Sequence, residues 1–118
     1  MELLKEDQPY FENIKVITLM TADRFGLELK EVVPSVLPRK GKVQHFLGWC
    51  SSSGTIKISV RAVENKKWAK ARNPDRDILL TVAHELAHLK YMDHGPQHTT
   101  LTKSIFNYLF YRKEPNGK

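Results

Sequence analysis

A histidine-rich segment between positions 84 and 98 constrains the fold of this chain more than any other part of its sequence. Four of the five histidines lie there, and two of them form the pattern His84-Glu85-Leu86-Ala87-His88. The preceding residues, Ile78-Leu79-Leu80-Thr81-Val82-Ala83, are an apolar run that predicts a buried helix. A glutamate beside two histidines in such a helix would be an unexplained, nearly buried charge unless the group serves a common purpose. Metal binding is the purpose that this pattern most often indicates.

The spacing of the pattern suits one metal ion and one base. On an α-helix each residue advances about 100°, so His84 and His88 lie about 40° apart on one face, one turn apart. Their imidazole nitrogens can then reach a single zinc ion at about 2.0–2.1 Å. Glu85 lies beside them, where it can contact water at the metal and act as a general base. We therefore predict one Zn²⁺ per chain, with His84 and His88 as ligands and Glu85 as the catalytic residue.

A third ligand is expected just after the helix. His94 follows His84 by ten residues, and Gly95-Pro96 should end the helix near Asp93. A chain reversal there would bring His94 to the metal, which makes it the favoured third ligand, with His98 and Asp93 as alternatives. If His98 is not a ligand, it lies either beside the ligands or in contact with substrate, or it is a solvated histidine at the start of the next helix, and the sequence does not choose between these. Three protein ligands leave a fourth position open, which is typical of catalytic zinc sites.

The remaining sequence predicts an α+β fold in which helices cover one face of a small three-stranded sheet. Turn and periodicity signals give the elements in chain order: a helix over about residues 10–24 that ends at Gly26, a strand over 27–32, a hairpin of strands 43–50 and 55–61 around Ser51-Ser52-Ser53-Gly54, the histidine helix with Asn73 as cap and Pro74 as first residue, and a closing helix over about 97–111. His45 falls on a predicted strand, and we expect it to be structural.

Apolar stripes indicate which faces of these elements are buried. The two outer helices carry one stripe each, formed by Phe11, Ile14, Ile17 and Met20 in the first and by Leu101, Ile105, Tyr108 and Leu109 in the last. In the strand over 55–61 the side chains of Ile56, Ile58 and Val60 should point one way and those of Thr55, Lys57, Ser59 and Arg61 the other.

A strand beside a zinc site can also bind substrate, because an exposed edge pairs with an extended peptide. We predict that the strand over 55–61 is this edge. A donor to the oxyanion of the reaction is expected nearby. The candidates for it are Tyr91, His98, Tyr108 and Tyr111.

Length and composition indicate one ordinary globular domain. The 118 residues suit a single domain over 1–118, with a flexible tail at 113–118. No apolar run approaches the roughly 20 residues that span a bilayer, and the acidic, polar N-terminus has no signal-peptide pattern. Cys50 is the only cysteine, which excludes an internal disulfide and a cysteine-rich zinc module. We therefore expect a cytoplasmic protein that does not enter membranes.

The net charge of +6 permits a polyanionic partner without requiring one. Its densest part is the basic segment 66–72, in which Trp68 could stack on a base while the cations follow a phosphate backbone. The cations are Lys66, Lys67, Lys70 and Arg72. The favoured interpretation is a solvated loop or short helix with Trp68 folded onto the core, so that nucleic-acid binding is weak at most.

Three parts of the sequence together resemble the SprT-like and YgjP-like zinc metallopeptidases. They are the turn and strand Leu47-Gly48-Trp49-Cys50-Ser51-Ser52-Ser53-Gly54-Thr55-Ile56-Lys57-Ile58-Ser59, the motif His84-Glu85-Leu86-Ala87-His88, and His94-Gly95-Pro96. The resemblance covers about residues 43–110. It implies a compact zincin-like fold, zinc ligation by His84, His88 and His94, and a catalytic Glu85. Departures from the family are Gln97-His98, where many relatives carry an acidic or aromatic residue, and the lack of a zinc ribbon.

The leading functional hypothesis is a zinc metallopeptidase that hydrolyses a protein or peptide substrate. The first alternative is a DNA-associated SprT-like protease that acts on nucleic-acid-bound proteins. The second is a non-catalytic, zinc-stabilised binding module, against which Glu85 argues because a structural site needs no base. A metzincin is excluded, because Tyr91 stands where metzincins require glycine and no methionine follows His94 to form their Met-turn.

Overall fold

The computed structural model describes residues 3–34, 48–64 and 67–111 of the chain. These residues contain three helices and five short strands. A 3₁₀ turn, Lys5–Asp7, leads into the first helix. The elements that follow are α1 (Gln8–Arg24), β1 (Glu31–Pro34), β2 (Gly48–Cys50), β3 (Thr55–Ile58), β4 (Val63–Glu64), β5 (Lys67–Trp68), α2 (Asp75–His88) and α3 (Pro96–Tyr111). The predicted α+β class and the three helices are confirmed. Residues 35–47, with His45, and the predicted tail at 113–118 lie outside the described residues.

The strands form a three-stranded sheet in the order β1-β3-β2 and a separate ribbon of β4 and β5. β1 runs parallel to β3, with Val32 opposite Ile56, and β2 runs antiparallel to β3. The predicted hairpin is therefore confirmed. Its turn needs a glycine at position 54, where φ is +98° and an added Cβ would lie 3.3 Å from the amide nitrogen of Lys30. The carbonyl oxygen of Gly54 accepts a hydrogen bond from that amide at 2.9 Å, which fixes the segment leading into β1.

The prediction that residues 55–61 form an exposed edge is wrong. β3 has β1 on one side and β2 on the other, so its backbone groups are already paired. The strand ends at Ile58, and Ser59 and Arg61, which were expected to face outward, are 1% and 4% exposed. Among the strands that the structure describes, β2 borders this sheet, and it also packs against α2.

An ion pair explains why Arg61 is buried. Its guanidinium donates through Nε to Asp7 Oδ2 at 2.8 Å and through Nη2 to Asp7 Oδ1 at 3.0 Å. Nη1 donates to the carbonyl oxygen of Ala69 at 3.0 Å. The hydrogen bonds to Asp7 hold the pKa of Arg61 above its ordinary value. Asp7 is completely buried, so this bidentate pair joins the N-terminal turn to the segment after β3 inside the protein.

Helix α1 buries most of the predicted stripe but not Met20, and Ile17 is partly buried against the core. Phe11 and Ile14 are buried as expected, but Met20 is 52% exposed. Nine residues separate Phe11 from Met20, which places them about 180° apart on a helix. Thr18, about 20° from Phe11 by the same count, is buried instead and donates to the carbonyl of Ile14 at 2.7 Å. The predicted stripe is therefore wrong at Met20, and Thr18 takes the buried position.

The helix ends and strand starts differ from prediction in three places. Gly26 ends α1 as predicted, with φ at +67°, but residues 27–30 are not a strand and β1 begins only at Glu31. Asn73 does not cap α2, because its side-chain amide donates to the carbonyl of Ser59 at 3.1 Å. Pro74 takes the cap position and is not the first helical residue. The helix stops at His88, five residues before the predicted end near Asp93.

The core lies between the sheet and the helices. Ile56 and Ile58 of β3 point into it, and Lys57 between them is exposed, which confirms the predicted alternation within the strand. Helices α2 and α3 pack closely on each other, and α2 also contacts β2 and β3. The closing helix buries Ile105 and Leu109 as predicted. No helix in the described ranges is long and apolar enough to cross a membrane.

Candidate metal site

Three histidine side chains meet at the junction of α2 and the loop before α3. The Nε2 atom of His88 lies 3.2 Å from Nε2 of His84 and 3.0 Å from Nε2 of His94, and the third pair is 3.3 Å apart. Nitrogens held at about 2.0–2.1 Å from a tetrahedral ion are separated by about 3.3–3.4 Å. The cluster therefore has the dimensions of a metal site, and these three residues form the group that could hold an ion among the described residues.

Hydrogen bonding and burial leave ring nitrogens available to a metal. Nδ1 of His88 lies 2.9 Å from the carbonyl oxygen of Tyr91. Since that carbonyl can only accept, the proton sits on Nδ1 and Nε2 of His88 carries the lone pair. Burial and the neighbouring rings of His98, His88 and His94 lower the pKa of His84 to about 4, so its imidazole is neutral near pH 7. Neutral imidazoles with converging lone pairs are the donor set that a divalent metal requires.

The turn after α2 places His94 beside the other two histidines. The amides of Lys90 and Tyr91 both donate to the carbonyl of Ala87, at 3.1 and 2.9 Å, so the chain closes a last tight turn and leaves the helix axis. It re-enters a helix at Pro96, and the carbonyl of Gly95 accepts from the amide of Thr99 at 3.0 Å. His94 thus stands on a short reversal between two helices, as the Gly95-Pro96 pair predicted.

Glu85 directly follows His84 in α2 and is buried. Glu85 is 7% exposed, and burial raises the pKa of its carboxyl group to about 7. Burial, and after it the charge of Glu85, raise the pKa of the Cys50 thiol on strand β2 to about 11. Glu85 on α2 therefore lies near the end of β2.

The ring of His98 packs against the rings of the three histidines. It is buried, and its Nε2 lies 3.0 Å from the backbone carbonyl oxygen of His84, which can only accept, so Nε2 carries the proton. Burial lowers the pKa of His98. His98 and Asp93, the two alternatives for the third ligand, are outside the ligand group that the described residues form. Burial of His98 decides against the solvated position that the sequence left open, and the sequence did not predict its bond to the backbone of His84.

The four candidate oxyanion donors have different surroundings. The backbone carbonyl of Tyr91 contacts His88, and its ring has the ammonium of Lys90 5.7 Å from its centroid. Tyr108 packs edge-on against Phe25, with ring centroids 5.7 Å apart, and Tyr111 is exposed at the end of α3. None of the contacts of these side chains selects one as the donor, so the oxyanion donor stays a prediction.

The basic segment is partly engaged with the rest of the protein. Lys67 and Trp68 form β5, where Trp68 is half-buried and Lys67 is exposed. Lys70 and Arg72 are exposed, and the guanidinium of Arg72 lies over the ring of Tyr10 at 4.2 Å from its centroid. Lys66 lies outside the described residues. These contacts suit the solvated interpretation of the segment, and nucleic-acid binding stays a prediction.

Comparison with other proteins adds no relative to this geometry. No family model, no curated protein and no solved structure matches the chain. The resemblance to the SprT-like and YgjP-like metallopeptidases therefore stays a prediction from the sequence. The case for a function has to be made from the site itself.

Proposed function

We propose that the protein is a zinc-dependent metallopeptidase with a zincin-like fold, of the SprT-like and YgjP-like kind. The observation that carries the proposal is the meeting of three imidazole Nε2 atoms within 3.0–3.3 Å of one another, with the buried Glu85 directly after His84 in the same helix. A purely structural site would have no use for that carboxylate.

Zinc is the proposed metal because of the donor set. His84, His88 and His94 offer three nitrogen ligands, which is the usual number in catalytic zinc sites. Imidazole also suits copper, iron and nickel, so the choice among them rests on the hydrolytic role that Glu85 indicates. When bound, zinc would supply a Lewis acid that polarises a peptide carbonyl and lowers the pKa of water.

The residues of the chain would carry the proton transfers. Glu85 would accept a proton from the attacking water, whose oxygen would form the new bond to the carbonyl carbon. As the bond between carbon and nitrogen breaks, the same carboxyl group would return that proton to the leaving amine. Glu85 is one of the buried residues of α2, and such burial would limit competing water.

An extended peptide is the proposed substrate, and β2 replaces the misassigned β3 as the strand that would pair with it. Three observations support this choice. β2 borders the sheet among the described strands, it packs on α2, and the charge of Glu85 raises the pKa of Cys50 at the end of β2. Pairing along β2 would bring the peptide backbone past Glu85.

The first experiment is a measurement of metal content after purification without chelators. We expect about one zinc per chain in the wild type and a large loss in His94→Ala. His45→Ala, which changes a histidine predicted to be structural, is the matched control and should keep its zinc. No zinc in the wild type, and none taken up when it is supplied, would refute the proposal.

The second experiment tests the base. Wild type and Glu85→Gln are incubated with a mixture of unstructured peptides, and the products are identified by mass spectrometry. Glu85→Gln should keep its zinc and lose about 10²–10⁴-fold in cleavage rate. Glu12→Gln, on the exposed face of α1, is the control and should cleave as the wild type does. Equal cleavage by Glu85→Gln would exclude the proposed mechanism.

A further inference from the structure

The buried histidine on α3 has no role in the mechanism above, yet its ring contacts the three-histidine cluster. His98 is 3% exposed. Its ring stacks on that of His88, with centroids 4.1 Å apart and planes 30° apart. It meets the ring of His84 edge-on, with centroids 4.6 Å apart and planes at 78°. The ring of His94 also meets that of His98 edge-on, with centroids 5.2 Å apart, so all three rings of the cluster contact His98.

The hydrogen bond of His98 ties the same ring to the backbone of α2. Its Nε2–H donates to the carbonyl oxygen of His84 at 3.0 Å. A carbonyl oxygen has two lone pairs, so the one at His84 can accept this bond in addition to a bond within the helix. With its Nε2 committed to this bond, His98 cannot use that nitrogen as a ligand. The bond also fixes the first turn of α3 against the turn of α2 that carries His84 and Glu85.

We propose that His98 is a positioning residue that holds the rings of His84 and His88 in the orientation that binds the metal. The inference rests on the proposed function only in that the three-histidine cluster binds a metal. Without the bond to the carbonyl of His84, the ring of His98 would no longer be fixed against the cluster. The rings of His84 and His88 would then gain rotamer freedom in the metal-free protein, and metal binding would have to remove it. Loss of a group that orients metal ligands typically weakens metal affinity by about 10–100-fold.

Substitutions at His98 should leave the fold in place. The packing of α3 is carried by Ile105 and Leu109, which are buried one or more turns further along the helix. His98→Phe keeps a flat ring under the cluster but loses the donor to His84. His98→Gln keeps an N–H donor but loses the ring. Thr99→Val, an exposed neighbour on α3, is the matched control.

The test is zinc affinity, measured by competition with a chromogenic chelator, together with the visible absorption of the Co²⁺-loaded proteins. We expect His98→Phe to bind Zn²⁺ about 10–100-fold more weakly and to show an altered Co²⁺ spectrum. His98→Gln should recover part of the affinity, because the bond to His84 is restored. Thr99→Val should match the wild type in both measurements. Thermal unfolding of the metal-free proteins, recorded in parallel, reports any purely structural effect.

The outcomes separate this inference from the proposed function. If the wild type binds no zinc, the proposed function fails whatever the variants do. If the wild type binds zinc and His98→Phe binds it within about two-fold as tightly, His98 is not a positioning residue. Equal losses of affinity in His98→Phe, His98→Gln and Thr99→Val would also overturn the inference, since the effect would then come from any change in the first turn of α3 and not from His98. Should His98→Phe fail to fold, the affinity and Co²⁺ spectrum of His98→Gln decide the question, and values equal to wild type overturn it.

Discussion

Removing the carboxylate of Asp7 should destabilise this protein more than almost any other single substitution. Asp7 is fully buried and holds Arg61 by two hydrogen bonds, at 2.8 and 3.0 Å. In Asp7→Ala the guanidinium would stay inside the protein with only the carbonyl of Ala69 and the exposed carboxylate of Glu6 as partners. Breaking a buried ion pair by removing one partner costs about 3–5 kcal/mol of unfolding free energy.

The expected change in melting temperature follows from the size of the chain. For a domain of 118 residues, 1 kcal/mol corresponds to about 3–5 °C, so Asp7→Ala should melt about 10–25 °C below the wild type. The assay is thermal and urea unfolding of the metal-free proteins followed by circular dichroism. Working without metal removes any stabilisation that a bound ion adds to the folded state.

Glu6→Ala provides a matched control on the same arginine. Glu6 accepts from Nη2 of Arg61 at 3.1 Å, but its side chain is 72% exposed. Solvent-exposed pairs contribute about 0–1 kcal/mol, so Glu6→Ala should be nearly as stable as the wild type. The double variant Asp7→Leu/Arg61→Met removes both charges and should be more stable than Asp7→Ala. Equal unfolding free energies for Asp7→Ala and Glu6→Ala would refute the reasoning.

Three further substitutions or treatments test the fold. The pKa of the Cys50 thiol is raised from an ordinary 9.0 to about 11, so about 100-fold less thiolate is present at pH 8. Iodoacetamide should therefore label the folded protein at least that much more slowly than the urea-unfolded protein, as measured by mass spectrometry. Gly54→Ala should lower the free energy of unfolding in urea by about 1–3 kcal/mol, more than Gly26→Ala does. The reason is that an added Cβ at Gly54 meets the amide of Lys30 at 3.3 Å, whereas one at Gly26 meets nothing within 4 Å. Ile105→Ala, at a fully buried position of α3, should cost about 2–5 kcal/mol in the same assay, and a loss below 1 kcal/mol would contradict the described packing of α3 on α2.

The features that were correctly predicted from sequence depend on residues close together in the chain. The hairpin turn is set by Ser51–Gly54, and the end of α1 by Gly26. The meeting of His84, His88 and His94 depends on one helix turn and one reversal within eleven residues. Such local signals act through backbone geometry, which the residue types specify directly.

The errors come from partners that are distant in sequence. Asn73 was taken as a helix cap because its position before Pro74 favours one, but its amide bonds to Ser59, fourteen residues earlier. Arg61 was expected on the face of the strand opposite Ile56, Ile58 and Val60, and its burial depends on Asp7, which lies fifty-four residues away. No pattern within either segment reveals these partners, since each side chain satisfies its hydrogen bonds only after the fold has formed.

The misassigned strand shows how such an error alters a functional argument. Alternation of Ile56 and Ile58 with Lys57 specifies that one face of β3 is buried, but an edge strand and a central strand share that pattern. What decides between them is β1, which pairs with β3 in parallel from twenty-four residues earlier and occupies the edge that a peptide would need. A substrate strand can then join this sheet only at its borders. Of the two border strands, β2 packs against α2, which carries Glu85, and β1 packs against α1. β2 is therefore the better candidate for the proposed peptide-binding strand, because it borders the sheet among the described residues and packs against the helix that carries Glu85.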